Sequence, residues 1–334
     1  MLIVNLGTPE SPKPRHVRSF LRTFLSDRRV IEMPPFIWKP ILEGIILRVR
    51  PKHSGALYEQ IWAEKAGEGV IGSPLLYWSE GQRKDLERRL SGEADIYIAM
   101  RYSRPTIADT LSLIQQKGYE HVLVVPMYPQ YSASSAGSII DEVSRWQLQA
   151  RNQLEIHTMR SFPTDPLYIE ALAQALETSW QKRGTPDFSH GQKLLLSYHS
   201  IPESMHTAGD PYVDECEATS RALARRLSLS NELGHGIIST YQSVFGPAAW
   251  VGPATIDTVR SLGRESCSRI DVMCPGFVAD CLESLQEINI LNREEFIRSG
   301  GSHKSFTYIP WANTAPAWMD ALEHQIRIRL PRLS

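Results

Sequence analysis

Six short runs rich in Ile, Val and Leu, each ending in polar or glycine-bearing residues, leave few folds open to this chain. They fall into two sets of three: residues 2–6, 96–100 and 122–128, then 194–198, 236–240 and 270–274. Runs that are apolar on both sides of the strand repeat are those of strands covered on both faces, as in parallel sheets. Between them, residues 74–90, 106–117, 167–182 and 213–227 carry apolar side chains at the three- and four-residue spacing of helices. Alternating strand and helix predicts parallel sheets flanked by helices and joined by right-handed crossovers. The expected class is α/β, with two similar Rossmann-like doubly wound domains. Residues 1–160 form the first and residues 161–313 the second, with the boundary falling near 160–166. The last stretch, 314–334, carries a helix over 315–330 that packs across the domains.

Composition narrows the partners. The net charge of -1 supplies no field to gather a polyanion, so nucleic acid is not expected. Four cysteines, at 216, 267, 274 and 281, form no Cys-x-x-Cys pair, which argues against a zinc knot and for a reducing compartment. The start of the chain reads as a strand and not as an export signal, and the expected location is the cytoplasm. The longest apolar region, 34–47, is interrupted by Lys39, Pro40, Glu43 and Gly44 and is too short to span a bilayer. Continued to residue 52, it sets Arg48, Arg50 and Lys52 beside Trp38, Ile41, Ile45 and Ile46. Two readings are open: a helix packed on its own domain, or peripheral contact with an anionic membrane.

Ligands of open parallel sheets bind beyond the C-terminal strand edge, so the chemistry belongs in the loops after the strands. His199 follows the run 194–198 directly. An imidazole there can take up a proton or bind a borderline divalent metal, although a single histidine is as readily structural. After the last run, Pro275 and Gly276 break the chain and residues 277–290 read as helical. On a helical wheel Asp280, Glu283 and Glu287 share one face, opposite Val278, Leu282, Leu285 and Ile288. Those acids are either partners of His199 across a cleft or a solvated helix face favoured by the helix dipole. The string Gly67-Glu68-Gly69-Val70-Ile71-Gly72 follows a helical stretch and not a strand, so it is no dinucleotide site. Residues 132–138 follow a strand and open a helix, where hydroxyls and N–H groups could hold a carboxylate such as a propionate or simply cap the helix.

Taken in order, Asn5-Leu6-Gly7-Thr8-Pro9, residues 24–30, Gly72-Ser73-Pro74-Leu75, Tyr128-Pro129-Gln130-Tyr131-Ser132, Gly209-Asp210-Pro211-Tyr212 and Cys274-Pro275-Gly276-Phe277 resemble the signatures of the ferrochelatase family along nearly the whole chain. The resemblance implies a chelatase-like pair of Rossmann-like domains around a porphyrin cleft, with residues 34–52 as its lip. It also implies a lyase of haem biosynthesis that takes Fe2+ as substrate. Within Ser197-Tyr198-His199-Ser200-Ile201-Pro202, His199 matches the family's catalytic histidine, and Glu283 matches its catalytic glutamate. With Asp280 and Glu287, these two would handle iron and protons. Leu6, Tyr102, Tyr128 and Trp311 are the expected porphyrin walls, with Arg101 and Ser132 as further ring contacts.

Three positions depart from the family pattern: Ser200 stands for a glycine, Val244 for an arginine and Ala254 for a tyrosine. The expected substrate is protoporphyrin IX, with coproporphyrin III as the alternative because serine after the histidine occurs in that branch. No iron–sulfur cluster is expected, since the chain ends without added cysteines. The rivals are a porphyrin or haem carrier without catalysis and a chelatase for cobalt or nickel. Retention of both His199 and Glu283 weighs against the carrier.

Overall fold

The computed structural model describes residues 1–62, 72–246 and 248–330. The glycine string at 67–72 therefore lies, apart from Gly72, outside the described residues. The chain divides into two compact units, one of Met1–Ser161 with Glu323–Ser334, the other of Phe162–Leu322. The helix Pro316–Arg327 contributes residues to both.

The first unit holds strands β1 (Leu2–Asn5), β2 (Tyr97–Met100), β3 (His121–Pro126) and β4 (Glu155–Thr158). They form one parallel sheet in the order β2-β1-β3-β4. Strand β1 lies inside the sheet with Ile3 paired to Ile98 on one side and Val125 on the other, and all four of its residues are buried. That double burial is why its sequence is apolar without alternation. Leu2, Val4, Ala99, Val122 and Val124 pack with Ile107, Leu111, Ile139 and Val143 from two helices into one core. The first of those helices, Ile107–Gln116, starts where the Thr106 hydroxyl accepts a hydrogen bond from the Asp109 N–H at 3.1 Å.

The second unit repeats the plan. Its strands β5 (Lys193–His199), β6 (Ile237–Gln242), β7 (Ile270–Met273) and β8 (Phe306–Tyr308) form a parallel sheet in the equivalent order, β6-β5-β7-β8. Leu195, Ile270 and Val272 pack with Val259, Leu262, Ile288, Phe296 and Phe306.

The two inner strands and one edge strand of each sheet coincide with the six apolar runs, whereas β4 and β8 lie outside those runs. Both are edge strands with one neighbour. β4, Glu155-Ile156-His157-Thr158, has no buried residue, and β8 is three residues long with only Phe306 buried. A strand paired on one side and partly wet needs no continuous apolar run, so its pattern fades into that of a loop.

The helix expected over 277–290 needs correction. It begins at Leu282, ends at Asn292 and is a π-helix throughout. Residues 277–281 are irregular, so Asp280 precedes the helix and never shared its face. The acidic-versus-apolar division also fails, since Leu282 and Leu285 are half-buried while Ser284, Gln286 and Asn292 are buried. A wheel drawn at 3.6 residues per turn is the wrong ruler for i→i+5 hydrogen bonding.

Residues 34–52 fold as the helix Pro35–Ile41, a π-turn Leu42–Ile46 and the start of the helix Leu47–Ile61. Leu42 and Leu47 pack with Val17, Phe20, Leu21 and Leu25, and the Trp38 indole N–H donates to the Leu25 carbonyl at 2.6 Å. Phe36, Ile37, Ile45 and Val49 stay exposed, Phe36 to 79%. The segment thus packs on its own unit and still presents an apolar face. Among the described residues, no helix is long and apolar enough to cross a membrane.

Candidate active site

The edge of the second sheet brings together the candidate residues. His199 is the last residue of β5 and pairs in register with Gln242, the last residue of β6, while the chain leaving β7 runs into the π-helix. Parallel strands end on one side of the sheet, which is why residues more than 80 positions apart, from His199 to Glu283, share one neighbourhood. The Ser200 N–H donates to the Gln242 carbonyl at 2.8 Å, continuing the ladder one residue beyond the strand.

The His199 ring is oriented by its own loop. Its Nδ1 lies 2.6 Å from the Ser200 carbonyl oxygen, which can only accept, so Nδ1 carries the hydrogen. Nε2 of the neutral ring then holds the lone pair. The Ser200 hydroxyl donates to the Val251 carbonyl at 2.7 Å. The serine that replaces a glycine is therefore a buried tie to the 250–254 loop.

Glu287 is gripped at both oxygens. Oε1 accepts from the Ser243 N–H at 2.6 Å and Oε2 from the Ser243 hydroxyl at 2.5 Å. Ser243 achieves this with φ of 67°, a left-handed conformation that costs a serine on the order of 1 kcal/mol. Burial pushes the Glu287 carboxyl above its ordinary value, with the neighbouring Glu283 charge adding to the rise; the Ser243 bonds and the charge of His199 oppose it. Such a group favours the fold most when protonated, and that contribution is lost as pH rises from the ordinary 4.5 through the raised value. Urea titrations of Glu287→Gln and wild type are expected to show the variant gaining relative stability across that rise. A gap that is flat with pH rejects the assignment.

The π-helix matters to this geometry. Four residues in an α-helix overshoot a full turn by about 40°. In the wider turn four residues fall short of a full turn instead, and Glu283 stays close enough for its charge to act on Glu287. π-segments are rare and concentrate at functional sites.

Asp280 is occupied by the scaffold. Its Oδ1 accepts from Ser284 Oγ at 2.7 Å and Tyr308 Oη at 2.7 Å, its Oδ2 from Asn313 Nδ2 at 2.8 Å, and its N–H donates to Asn313 Oδ1 at 2.8 Å. This carboxylate pins the start of the π-helix to β8 and to the loop after it. Nothing in the sequence marks Tyr308 and Asn313 as its partners.

The remaining expected site residues divide. Tyr102 and Trp311, expected as porphyrin walls, are 3% and 4% exposed. The Tyr102 hydroxyl donates to Asp27 at 2.8 Å, and the Arg101 guanidinium pairs with the same carboxylate at 2.8 Å. Burial would raise the Asp27 carboxyl, but bonds from Ser138, the Arg29 N–H and Tyr102, with the Arg101 charge, hold it below its ordinary value. Arg101 and Tyr102 thus anchor the loop after the helix Pro14–Leu25. The Trp311 indole N–H donates to the Cys274 carbonyl at 2.8 Å, and its ring meets Tyr168 and Trp318 edge-on. Leu6 and Tyr128 are half-buried and pack against the core of the first unit. Ser132 is buried, and its hydroxyl accepts from the Ser134 N–H at 3.3 Å as a helix cap. Among the described residues, no three His, Cys, Asp or Glu side chains converge as a metal site.

A family model described as Ferrochelatase matches residues 1–330. A ferrochelatase of Neisseria meningitidis is 42% identical over 322 residues, 96% of this chain and 91% of that protein. One from Azoarcus is 43% identical over 98% of this chain and 86% of its own length, and one from Bordetella pertussis 40% over 98% and 88%. Among solved structures, SirB from Bacillus subtilis with Fe3+ superposes with a TM-score of 0.54 at 13% identity, covering 75% of this chain and 88% of that one. A cobalt complex of the sirohydrochlorin chelatase SirB gives 0.55 at 11% identity, over 79% and 92%. At such identity these two support the fold alone. A family match running from the first strand through the last helix, with relatives at about 40% identity across both units, establishes that this chain belongs to the ferrochelatase family, enzymes that insert metal into a porphyrin.

Proposed function

We propose that the enzyme inserts Fe2+ into protoporphyrin IX to give protohaem, with His199 as the proton acceptor and Glu283 and Glu287 handling the incoming iron and the outgoing protons. The observation that carries this is the hydrogen bond from His199 Nδ1 to the Ser200 carbonyl, which leaves Nε2 with the lone pair at a strand tip. Insertion forms four iron–nitrogen bonds and releases two pyrrole protons. An imidazole that takes one becomes a cation, which the neighbouring Glu287 carboxyl stabilises when it is ionised. Glu283, one turn earlier on the π-helix, is the second carboxylate for iron on its way to the ring.

In this reading Asp280 holds the helix and does not touch iron. Leu6 and Tyr128, which keep accessible surface, remain ring contacts. The reading includes no iron–sulfur centre. Residues 24–30 and their apolar continuation resemble those of the protoporphyrin branch, which favours the ring with two propionates over coproporphyrin III with four. The exposed Phe36, Ile37, Ile45 and Val49, beside exposed Arg48 and Lys52, support peripheral contact with an anionic membrane by an enzyme read as cytoplasmic.

An anaerobic assay with Fe2+ and each porphyrin tests the substrate. Protoporphyrin IX is expected to give kcat/KM about tenfold higher or more. The reverse order assigns the enzyme to coproporphyrin III. A spectral shift without haem would identify a carrier, and Co2+ or Ni2+ outcompeting Fe2+ would move the reaction to another metal.

A further inference from the structure

We infer that the dipeptide Gln242-Ser243 is the positioning element of this reaction, holding the base and both glutamates in one register. The inference rests on the reading of His199 and Glu283 as reacting groups. Gln242 is 2% exposed, and each part of its amide is used. Oε1 accepts from Ser197 Oγ on β5 at 2.7 Å and from the Cys274 thiol after β7 at 3.7 Å. Nε2 donates to the Glu283 carbonyl at 3.1 Å, and the backbone carbonyl of Gln242 accepts the Ser200 N–H. Behind it, Ser197, Thr255 and Thr240 form a buried hydroxyl chain at 2.8 and 2.9 Å that fixes the Ser197 oxygen.

Ser243, the next residue, takes both oxygens of Glu287. Two adjacent residues therefore reach the strand that bears His199, the segment leaving β7, the backbone of Glu283 and the side chain of Glu287. They do so at the strand end whose partner in register is His199 itself.

Glutamine suits this post because one rigid group presents an acceptor toward the sheet and a donor toward the helix at fixed separation. Glutamate keeps the acceptor and loses the donor, methionine keeps the volume and loses both, and asparagine is one methylene short. The left-handed backbone at Ser243 turns its N–H and hydroxyl to the same carboxylate.

The test compares Gln242→Met, Ser243→Gly and wild type in steady-state iron insertion, with Tm measured on each. Misplacing reacting groups by a fraction of an ångström lowers the rate of a positioned reaction steeply. Gln242→Met is expected to lower kcat about tenfold or more while KM for the porphyrin stays within about twofold. A purely structural glutamine would lower Tm and leave kcat per folded molecule unchanged, and that outcome overturns the inference. Should Gln242→Met not fold, Ser243→Gly decides. It keeps the N–H to Glu287 and suits the left-handed backbone, so it is expected to retain Tm and lose several-fold in kcat; an unchanged kcat overturns the inference. If His199→Ala and Glu283→Gln turn over at wild-type rates, the site reading fails and the inference with it. If those two are inactive while the dipeptide variants are not, the inference alone fails.

Discussion

His199→Ala is expected to lower iron insertion by a factor of about 10² to 10⁴, the usual contribution of a positioned base, while the protein still binds porphyrin. The ring is fixed by one hydrogen bond to its own neighbour, so the substitution removes little that holds the fold. His199 is half-buried at a strand tip, outside the apolar core of the second unit. Anaerobic haem formation with Fe2+ supplies the rate, and quenching of porphyrin fluorescence supplies the binding. Turnover within about threefold of wild type, with binding retained, would remove His199 from the chemistry and leave the pyrrole protons to another acceptor.

Asp271→Ala is expected to cost about 3 to 5 kcal/mol of folding stability without touching the reaction. Asp271 is fully buried in β7, flanked there by the apolar Ile270, Val272 and Met273. Its Oδ1 accepts from Arg183 Nη1 at 3.1 Å and Arg269 Nε at 3.2 Å, and its Oδ2 from Arg269 Nη2 at 2.7 Å and the Trp180 indole at 2.9 Å. Removing the carboxylate strands a guanidinium that is 9% exposed and an indole N–H, and unpaired buried charge is what makes such losses large. Urea denaturation measures the difference. A loss under about 1 kcal/mol would mean that water reaches the arginines once the carboxylate is gone.

The part of the molecule visible in the sequence is the part that depends on what the chain must exclude from water. β1, β3, β5 and β7 lie inside their sheets, so burial on both faces wrote itself as apolar runs, and the tips of those runs marked where polar side chains gather. His199 and the Gln242-Ser243 loop could both be located this way. β4 and β8 could not, because an edge strand is paired on one side and its wet residues obey no apolar rule. Asp271 sits inside an apolar run as a single unexplained acid, since its partners Trp180 and Arg183 are some 90 positions earlier.

The site itself was decided by contacts that no spacing encodes. Asp280, Glu283 and Glu287 read as one acidic face, yet folding separates them into three conditions: a carboxylate filled by Tyr308, Ser284 and Asn313, a helix residue whose carbonyl is held by Gln242, and a buried carboxyl gripped by Ser243. The π-helix that sets their spacing follows from these tertiary ties and not from a local repeat, because i→i+5 bonding leaves no period of its own in so short a segment. Alternating burial determined the class of fold and the edge where chemistry would lie. Which carboxylate is free to act, and which is spent on structure, depended on hydrogen bonds between residues as much as 44 positions apart, which only the assembled sheet brings within reach.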